Sequence, residues 1–163
     1  MKVYVVMGVS GIGKTTIGKS LADTLEIPFY DADDYHPDAN VEKMSKGMAL
    51  NDEDRKGWLR ILAKNIEAWS TEKGAVLACS ALKECYRETL TEGLKKQVVF
   101  VYLHAEYDLV YKRMKARKGH YFKAELLKSQ FDILEEPKDA IKVNANQGIP
   151  EMVHEVLAKI NPS

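Results

Sequence analysis

The chain has 163 residues, 45% of them hydrophobic and 29% charged, and its formal net charge is zero. This composition is ordinary for one soluble globular domain, and the balanced charge gives no broad basic face for nucleic acid or a membrane surface. No apolar run approaches the roughly 18 residues of a membrane-spanning helix, and the chain opens into a predicted strand without a signal peptide. We expect a cytoplasmic protein in which Cys79 and Cys85 are reduced thiols, because they form no metal-binding or redox motif.

A glycine-rich loop follows the first predicted strand, Lys2 to Met7. The loop from Gly8 to Thr15 fits G-x-x-x-x-G-K-[ST], and a helical pattern begins directly after it. Backbone N–H groups of such a P-loop converge on phosphate oxygens, and the helix N-terminus adds a favourable dipole. Lys14 is expected to reach the β- and γ-phosphates during catalysis, and the Thr15 hydroxyl to bind Mg²⁺. The residues expected to bind ATP here are Gly8, Val9, Ser10, Gly11, Ile12, Gly13, Lys14, Thr15 and Thr16.

The second predicted strand, Ile27 to Tyr30, leads into Asp31, Asp33 and His36. Carboxylates two residues apart on an extended segment point the same way, here toward the P-loop. Phosphoryl transfer needs one carboxylate for Mg²⁺ or its waters and another to orient the attacking hydroxyl. We assign Asp31 to the metal, through water, and Asp33 to the substrate hydroxyl; an acidic turn that caps the next helix is the alternative. His36 either hydrogen-bonds a polyol or shapes the turn.

The third predicted strand, Ala75 to Cys79, precedes a small and basic segment. Ser80 would let backbone N–H groups approach a ligand, and Lys83 and Arg87 lie one helical turn apart. Together with Arg55 they could enclose a substrate carboxylate, since arginine offers a planar two-pronged donor. The alternative is a solvated basic helix face.

A basic run from Arg113 to His120 lies beyond the fourth predicted strand, before a helical pattern from Ala124 to Leu134. An isolated run of this kind is usually a solvated surface or a nucleic-acid contact. In a P-loop kinase it is better interpreted as a lid, over residues of about 117–136, whose arginines close over the phosphates. Arg117 is the first candidate for a catalytic arginine and Arg113 the second, and both are expected to contact ATP.

The remaining elements complete an alternating pattern along the chain. Further strands are predicted over Val98 to Leu103 and Ala140 to Val143. Further helices are predicted after Asn51, which would be the N-cap of a long helix, and over Lys83 to Leu94, Glu106 to Arg117 and Pro150 to Ile160. Alternating strands and helices predict an α/β P-loop fold with five mostly parallel strands, helices on both faces and one domain over residues 1–163. The segment after the fifth strand lacks N-K-x-D, the guanine-reading signature, and this favours ATP.

These motifs together resemble the gluconate kinase family, small P-loop kinases related to shikimate and nucleoside monophosphate kinases. The resemblance runs from Val5 to Pro137 and includes the P-loop, D-x-D-x-x-H-P, C-S-A-L-K-x-x-Y-R and L-L-K-S-Q-F. It implies phosphorylation of the 6-hydroxyl of D-gluconate by Mg-ATP, giving 6-phosphogluconate and ADP, in a homodimer. The gluconate-binding residues that it implies are Asp33, His36, Lys43, Arg55, Ser80, Lys83, Arg87, His120 and Gln130.

Several positions depart from the family pattern. Ile12 replaces a small serine, Ala32 a glycine, Gly57 a proline and Lys123 a lid proline. None of these changes removes a charged group or one that orients the nucleophile. Another acceptor, such as shikimate, a nucleotide or a different sugar acid, remains the nearest alternative. A regulatory protein that binds ATP without an acceptor is the alternative of another class.

Overall fold

The computed structural model describes residues 1–117 and 124–160, in which strands and helices alternate along the chain. The strands are β1 (Val3–Met7), β2 (Phe29–Asp31), β3 (Ala75–Ala78), β4 (Val98–His104) and β5 (Ile141–Asn144). The helices are α1 (Lys14–Leu25), α2 (Asp38–Ser45), α3 (Asp52–Ser70), α4 (Glu84–Leu90), α5 (Tyr107–Ala116), α6 (Ala124–Ile133) and α7 (Ile149–Ile160). A short 3₁₀ turn, Ala32–Tyr35, follows β2.

These strands form one sheet in the order β2-β3-β1-β4-β5, and every neighbouring pair is parallel. The predicted α/β P-loop fold is therefore confirmed. Ala78 of β3 pairs with Val6 of β1 on one side and with Asp31 of β2 on the other. Because parallel strands end at the same edge, the P-loop, the acidic turn and the segment after β3 are brought together.

Strand β1 is buried on both faces, as expected for the centre of a parallel sheet. Val3, Val5 and Met7 belong to the hydrophobic cluster that includes α3. Tyr4 and Val6 belong to the opposite cluster, which includes α1 and α7. Each fully buried aliphatic side chain contributes about 2 kcal/mol to folding. The two clusters hold rigidly the strand from which the P-loop departs.

Two features of the helices differ from the sequence-based expectation. The helix predicted from Lys83 to Leu94 ends at Leu90, because the chain turns at Gly93, which has a φ of 76°. Helix α2 was not identified, because Asn40 is its one buried residue and no apolar stripe marks it. The predicted N-cap of the long helix α3 is confirmed: the Asn51 side chain accepts from the Asp54 backbone N–H.

Candidate active site

The P-loop connects the end of β1 to the start of α1. Gly13 lies immediately before α1 with a φ of 105°, in the left-handed region that glycine adopts readily. A Cβ atom at Gly8 would lie 2.7 Å from the Leu103 carbonyl oxygen of β4, which leaves room only for glycine. Ile12 is 1% exposed and packs into the core, so its side chain faces away from the space above the loop.

Lys14 folds back over the P-loop. Its Nζ donates to the carbonyl oxygens of Gly8 at 3.0 Å and Val9 at 2.9 Å. Burial lowers the pKa of Lys14, and the nearby Asp33 and Asp31 carboxylates oppose that shift. Since both hydrogen-bond partners are neutral carbonyls, the positive charge of Lys14 is available to a phosphate group.

The thiol of Cys79 lies beneath the same site, directly after β3. It is 2% exposed, and burial raises its pKa to about 12. Its backbone N–H donates to the Val6 carbonyl oxygen at 3.1 Å. Cys79 is therefore a neutral packing residue, whereas Cys85 lies exposed on α4.

Asp31 and Asp33 stand at the end of β2, as predicted, but their backbone is not extended throughout. A 3₁₀ turn begins at Ala32, and the Asp31 side chain accepts from the Asp33 N–H at 3.0 Å. The expectation of an extended pair was wrong because this short polar side chain caps the turn locally. Partial desolvation raises the pKa of Asp33, and the Asp31 carboxylate adds to that shift.

A cavity of about 330 Å³ lies beside this turn and is lined by several side chains that carry oxygen atoms. Thr15, Asp31 and Asp34 line it, together with Lys19 and three aromatic residues. Mg²⁺ prefers oxygen ligands and keeps several waters, so the Thr15 hydroxyl and the Asp31 carboxylate suit it. Within residues 1–117 and 124–160, no group of three or more His, Cys, Asp or Glu side chains forms a closed metal site.

Two predicted cationic residues meet around Tyr86 and Asp52. The Tyr86 hydroxyl donates to Asp52 Oδ1 at 2.5 Å, and Lys83 Nζ lies 3.2 Å from Asp52 Oδ2. Arg55 Nη1 donates to the Tyr86 hydroxyl at 3.2 Å and lies 3.5 Å from Asp52. Hydrogen bonds from Tyr86 and Lys83 lower the pKa of Asp52. We call these four residues the cationic group; two cations and one anion leave it with one net positive charge.

Arg87 lies apart from the cationic group. Its guanidinium is buried and donates to the carbonyl oxygens of Ala81 at 2.6 Å and Glu135 at 2.7 Å. It also pairs with Glu84 at 3.0 Å. Arg87 therefore connects the segment after β3 to the chain that follows α6, and the structure gives it protein partners in place of open space.

His36 and Lys43 flank the first turn of α3. The His36 ring stacks on Trp58, with centroids 4.4 Å apart and planes inclined by 14°. Lys43 Nζ pairs with Asp54 at 2.6 Å. Trp58 Nε1 in turn donates to the Ala32 carbonyl oxygen at 2.7 Å, which fixes the turn between the two acidic residues.

Of the other predicted residues, Ser80 and Gln130 contact the P-loop, whereas Arg113 contacts the segment after β5. The Ser80 carbonyl oxygen accepts from the Gly8 N–H at 3.2 Å. Gln130 of α6 makes two bonds to Ser10: its Oε1 accepts from the Ser10 N–H at 2.7 Å, and its Nε2 donates to the Ser10 hydroxyl at 2.8 Å. Arg113 donates to the Ala145 carbonyl oxygen at 2.8 Å, in the segment after β5.

The predicted lid is only partly within the described residues. Arg117 is exposed at the C-terminal end of α5. His120 and Lys123 lie outside the described residues. The parts of the chain that are described contain no helix long and apolar enough to cross a membrane.

Sequence reasoning did not assign roles to Asp52, Tyr86, Asn40 or Trp58. Tyr86 and Asp52 approach each other although 34 positions separate them along the chain. Tyr86 stands inside the C-S-A-L-K-x-x-Y-R motif, which was the one available signal. Asp52 and Trp58 both lie on α3: the contact of Asp52 depends on how α3 packs against α4, and the contacts of Trp58 depend on how α3 packs against the turn after β2.

Comparison with known proteins gives several extended matches. The chain matches the shikimate kinase family over residues 10–160. It is 42% identical to the thermoresistant gluconokinase of Escherichia coli (strain K12), over 93% of this chain and 89% of that protein. It is 42% identical to a probable gluconokinase of Mus musculus, over 95% of each chain. A crystal structure of a gluconokinase from Sinorhizobium meliloti 1021 is 37% identical, with a TM-score of 0.87 over 96% of this chain and 90% of that one.

Proposed function

This chain belongs to the gluconokinase family of P-loop kinases, and on that premise we propose that it transfers the γ-phosphoryl group of ATP to the 6-hydroxyl of D-gluconate. The products are 6-phosphogluconate and ADP. The observation that carries the choice of acceptor is the cationic group, Asp52, Arg55, Lys83 and Tyr86, in which two cationic side chains share one carboxylate. Arg55 and Lys83 suit the carboxylate of a sugar acid.

The reaction follows from the positions of the P-loop and the acidic turn. The oxygen of the acceptor hydroxyl forms a bond to the γ-phosphorus as the bond from that phosphorus to the bridging oxygen of ATP breaks. The electron pair of the broken bond stays on ADP, and the hydroxyl proton passes to Asp33. Lys14, released from the Gly8 and Val9 carbonyl oxygens, contacts the β- and γ-phosphates. Catalysis is then mainly positioning and electrostatic stabilisation.

Thr15 and, through water, Asp31 would hold Mg²⁺ on the phosphates. When bound, the ion neutralises charge on the β- and γ-phosphate oxygens. Thr15 is exposed at the first turn of α1, and Asp31 lines the same cavity. The N–H groups of the P-loop and the Thr16 hydroxyl complete the phosphate site. Arg117 and Arg113 supply further positive charge from the lid, and Arg113 is positioned by its bond to Ala145.

The test is ADP release from Mg-ATP in the presence of D-gluconate. Shikimate, glucose, other hexonates and nucleoside monophosphates serve as comparison acceptors. Strong stimulation by gluconate alone supports the proposal. Turnover of another acceptor without stimulation by gluconate would keep the kinase and overturn its substrate, and ATP binding without turnover of any acceptor would revive the regulatory alternative.

Three further expectations stay predictions. The first is the homodimer, which size-exclusion chromatography with light scattering tests directly. The second is a cytoplasmic location, which fractionation of cells expressing the protein tests. The third is the organisation as one domain with a lid of about residues 117–136; proteolysis with and without ATP tests it, because a closed lid is cut more slowly.

A further inference from the structure

Asn40 is a buried polar residue next to the acidic turn. It is 4% exposed, and its Nδ2 donates to the Asp54 backbone carbonyl oxygen at 3.0 Å. Because a carbonyl oxygen only accepts, this bond fixes which end of the amide is the nitrogen. The same nitrogen lies 3.3 Å from Nδ1 of His36. An amide nitrogen only donates, so Nδ1 of His36 accepts and carries no hydrogen.

The second ring nitrogen of His36 must then carry the proton. The His36 side chain is 6% exposed and stacks on Trp58. Burial lowers the pKa of His36; the Asp33 carboxylate opposes that shift and Arg55 adds to it. A neutral ring whose Nδ1 accepts bears its hydrogen on Nε2. Nε2 faces Asp33, 3.9 Å from its Oδ1.

The separation between His36 and Asp33 suits one intervening hydroxyl group. A distance of 3.9 Å is too long for a direct hydrogen bond, but an oxygen placed to one side reaches both atoms at about 2.8 Å. A hydroxyl there donates its proton to Asp33 and accepts from the Nε2–H of His36. One lone pair is left, and its direction is set by the other two bonds. That lone pair is the one that attacks phosphorus.

The conformation of the acidic turn does not depend on a hydrogen bond from Nε2 of His36. The Ala32 carbonyl oxygen accepts from Trp58 Nε1 at 2.7 Å, and the Asp33 N–H donates to Asp31. The turn is thus held from two sides by other residues. The Nε2–H of His36 has no protein hydrogen-bond partner among the described residues, although its side chain is nearly buried.

We propose that Asn40 is a positioning residue which fixes His36 as the Nε2–H tautomer, and that this N–H, together with Asp33, orients the reacting hydroxyl of the acceptor. This inference rests on the proposed function, because it concerns the hydroxyl of the acceptor that the kinase phosphorylates. It assigns to His36 the role of a hydrogen-bond donor and not that of a base. Asn40 acts only through His36.

The first test measures the tautomer of His36 directly. Long-range ¹H–¹⁵N NMR spectra of the wild-type protein distinguish the two neutral tautomers, and loss of one signal in His36→Gln assigns the ring. We expect the Nε2–H tautomer in the wild type at neutral pH. An Nδ1–H tautomer or a doubly protonated ring would overturn the inference, whatever the enzyme's activity.

The second test compares two replacements of His36. Glutamine places an amide N–H near the position of Nε2, whereas asparagine places it near that of Nδ1. We expect kcat of His36→Gln to exceed that of His36→Asn by about tenfold, the factor expected for one hydrogen bond to the reacting group. Equal kcat values for the two variants would contradict the proposed donor.

The third test changes Asn40 alone. A carboxylate in Asn40→Asp would accept from Nδ1 and transfer the hydrogen away from Nε2. We expect an Nδ1–H signal, kcat lower by about tenfold and an unchanged KM for ATP. The loss should be smaller in a His36→Gln background. Asn65→Asp is the matched control, since Asn65 donates to Ile61 within α3, away from the site.

The outcomes separate this inference from the proposed function. A wild-type enzyme that phosphorylates another acceptor, but not gluconate, would overturn the substrate and leave the NMR result interpretable. A wild-type enzyme that phosphorylates gluconate with the other His36 tautomer would overturn the inference alone. If Asn40→Asp does not fold, the NMR spectrum of the wild type and the two His36 variants decide the question.

Discussion

Asp33 and Asp31 share a turn but have different surroundings. The Asp31 carboxylate accepts a backbone hydrogen bond within the turn, whereas no backbone N–H of residues 1–117 or 124–160 donates to the Asp33 carboxylate. Asp33 is therefore free to accept a proton from the substrate. We expect Asp33→Asn to lower kcat about 100-fold or more, because the neutral amide cannot accept that proton, while the Kd for ATP changes little. Steady-state kinetics and nucleotide titration measure the two quantities.

Asp38→Asn is the control for this substitution. Asp38 is an exposed carboxylate in the first turn of α2, so its loss removes a similar negative charge away from the turn. The assigned role of Asp33 would be wrong if Asp33→Asn weakened ATP binding as much as it lowered kcat.

We expect the cationic group to bind the carboxylate of gluconate. Replacing Lys83 with Met removes one charge, so we expect KM for gluconate to rise about tenfold or more while KM for ATP is unchanged. A neutral six-carbon polyol such as glucitol has no carboxylate, and the same substitution should leave its slow turnover unaffected. Lys56→Met is the matched control, because Lys56 is exposed on α3 and pairs with Glu53 on the same helix. A similar loss with both acceptors would argue against carboxylate binding at Lys83.

For single residues, the sequence predicted the place in the fold better than it predicted the hydrogen-bond partners. Asp31 and Ser80 lie where the rule for parallel strands places them, at the carboxyl end of the sheet. Arg87 shows the limit of that rule. Its burial depends on the Glu135 carbonyl oxygen, 48 positions further along the chain, and no local pattern indicates such a contact.

Helix α3 positions the cationic group through its first turn. Asn51 and Asp54 form a capping box, and Asp54 also binds Lys43. We expect Asn51→Ala to lower the free energy of unfolding by about 1 kcal/mol, since an N–H at the helix start loses its partner. Urea denaturation measures this change. Asn51→Ser keeps a capping oxygen and should lose much less; equal losses would show that the cap is not the cause.

Helix α6 contacts the P-loop through Gln130. The resemblance implied that Gln130 binds gluconate, whereas in the structure its amide makes both bonds to Ser10. We expect Gln130→Ala to change KM for ATP several-fold, because the Ser10 N–H lies in the phosphate loop, and to leave KM for gluconate unchanged. Exposed Lys128, on the same helix, supplies the control Lys128→Ala. A raised KM for gluconate alone would favour the role implied by the resemblance.

The elements that the sequence predicted well are the long or strongly apolar ones. Strand β1 is a continuous apolar run that is buried at every residue, and helix α3 has a helical pattern of buried apolar residues from Trp58 onward. Strand β2 was predicted over Ile27 to Tyr30 and is observed over Phe29–Asp31, because it is only three residues long. The 3₁₀ turn after it was not predicted: its form depends on the Asp31 cap and on the hydrogen bond from Trp58 to Ala32, and neither leaves a periodic pattern in the sequence.

At the level of the whole molecule, the order of the strands in the sheet could not be predicted from the motifs. Alternating strands and helices predict parallel strands, but not that β3 lies between β1 and β2. That placement puts the segment after β3 between the P-loop and the acidic turn. The proposed acceptor site would consequently be assembled from the P-loop, the turn after β2, the start of α3 and the segment after β3, and it would form only when these strands pair.

Because the thiol of Cys79 is buried, its rate of alkylation can measure how often the sheet around β3 unfolds locally. Alkylating reagents attack the thiolate, so a buried thiol with a pKa of about 12 should react only in molecules that have opened, whereas exposed Cys85 is accessible in all of them. In Cys85→Ser, the labelling rate of Cys79 then reports the open fraction. ATP at about 100 times its Kd should slow that labelling about 100-fold if opening destroys the nucleotide site. An unchanged rate would mean that β3 separates from its neighbours while the P-loop still holds its ligand.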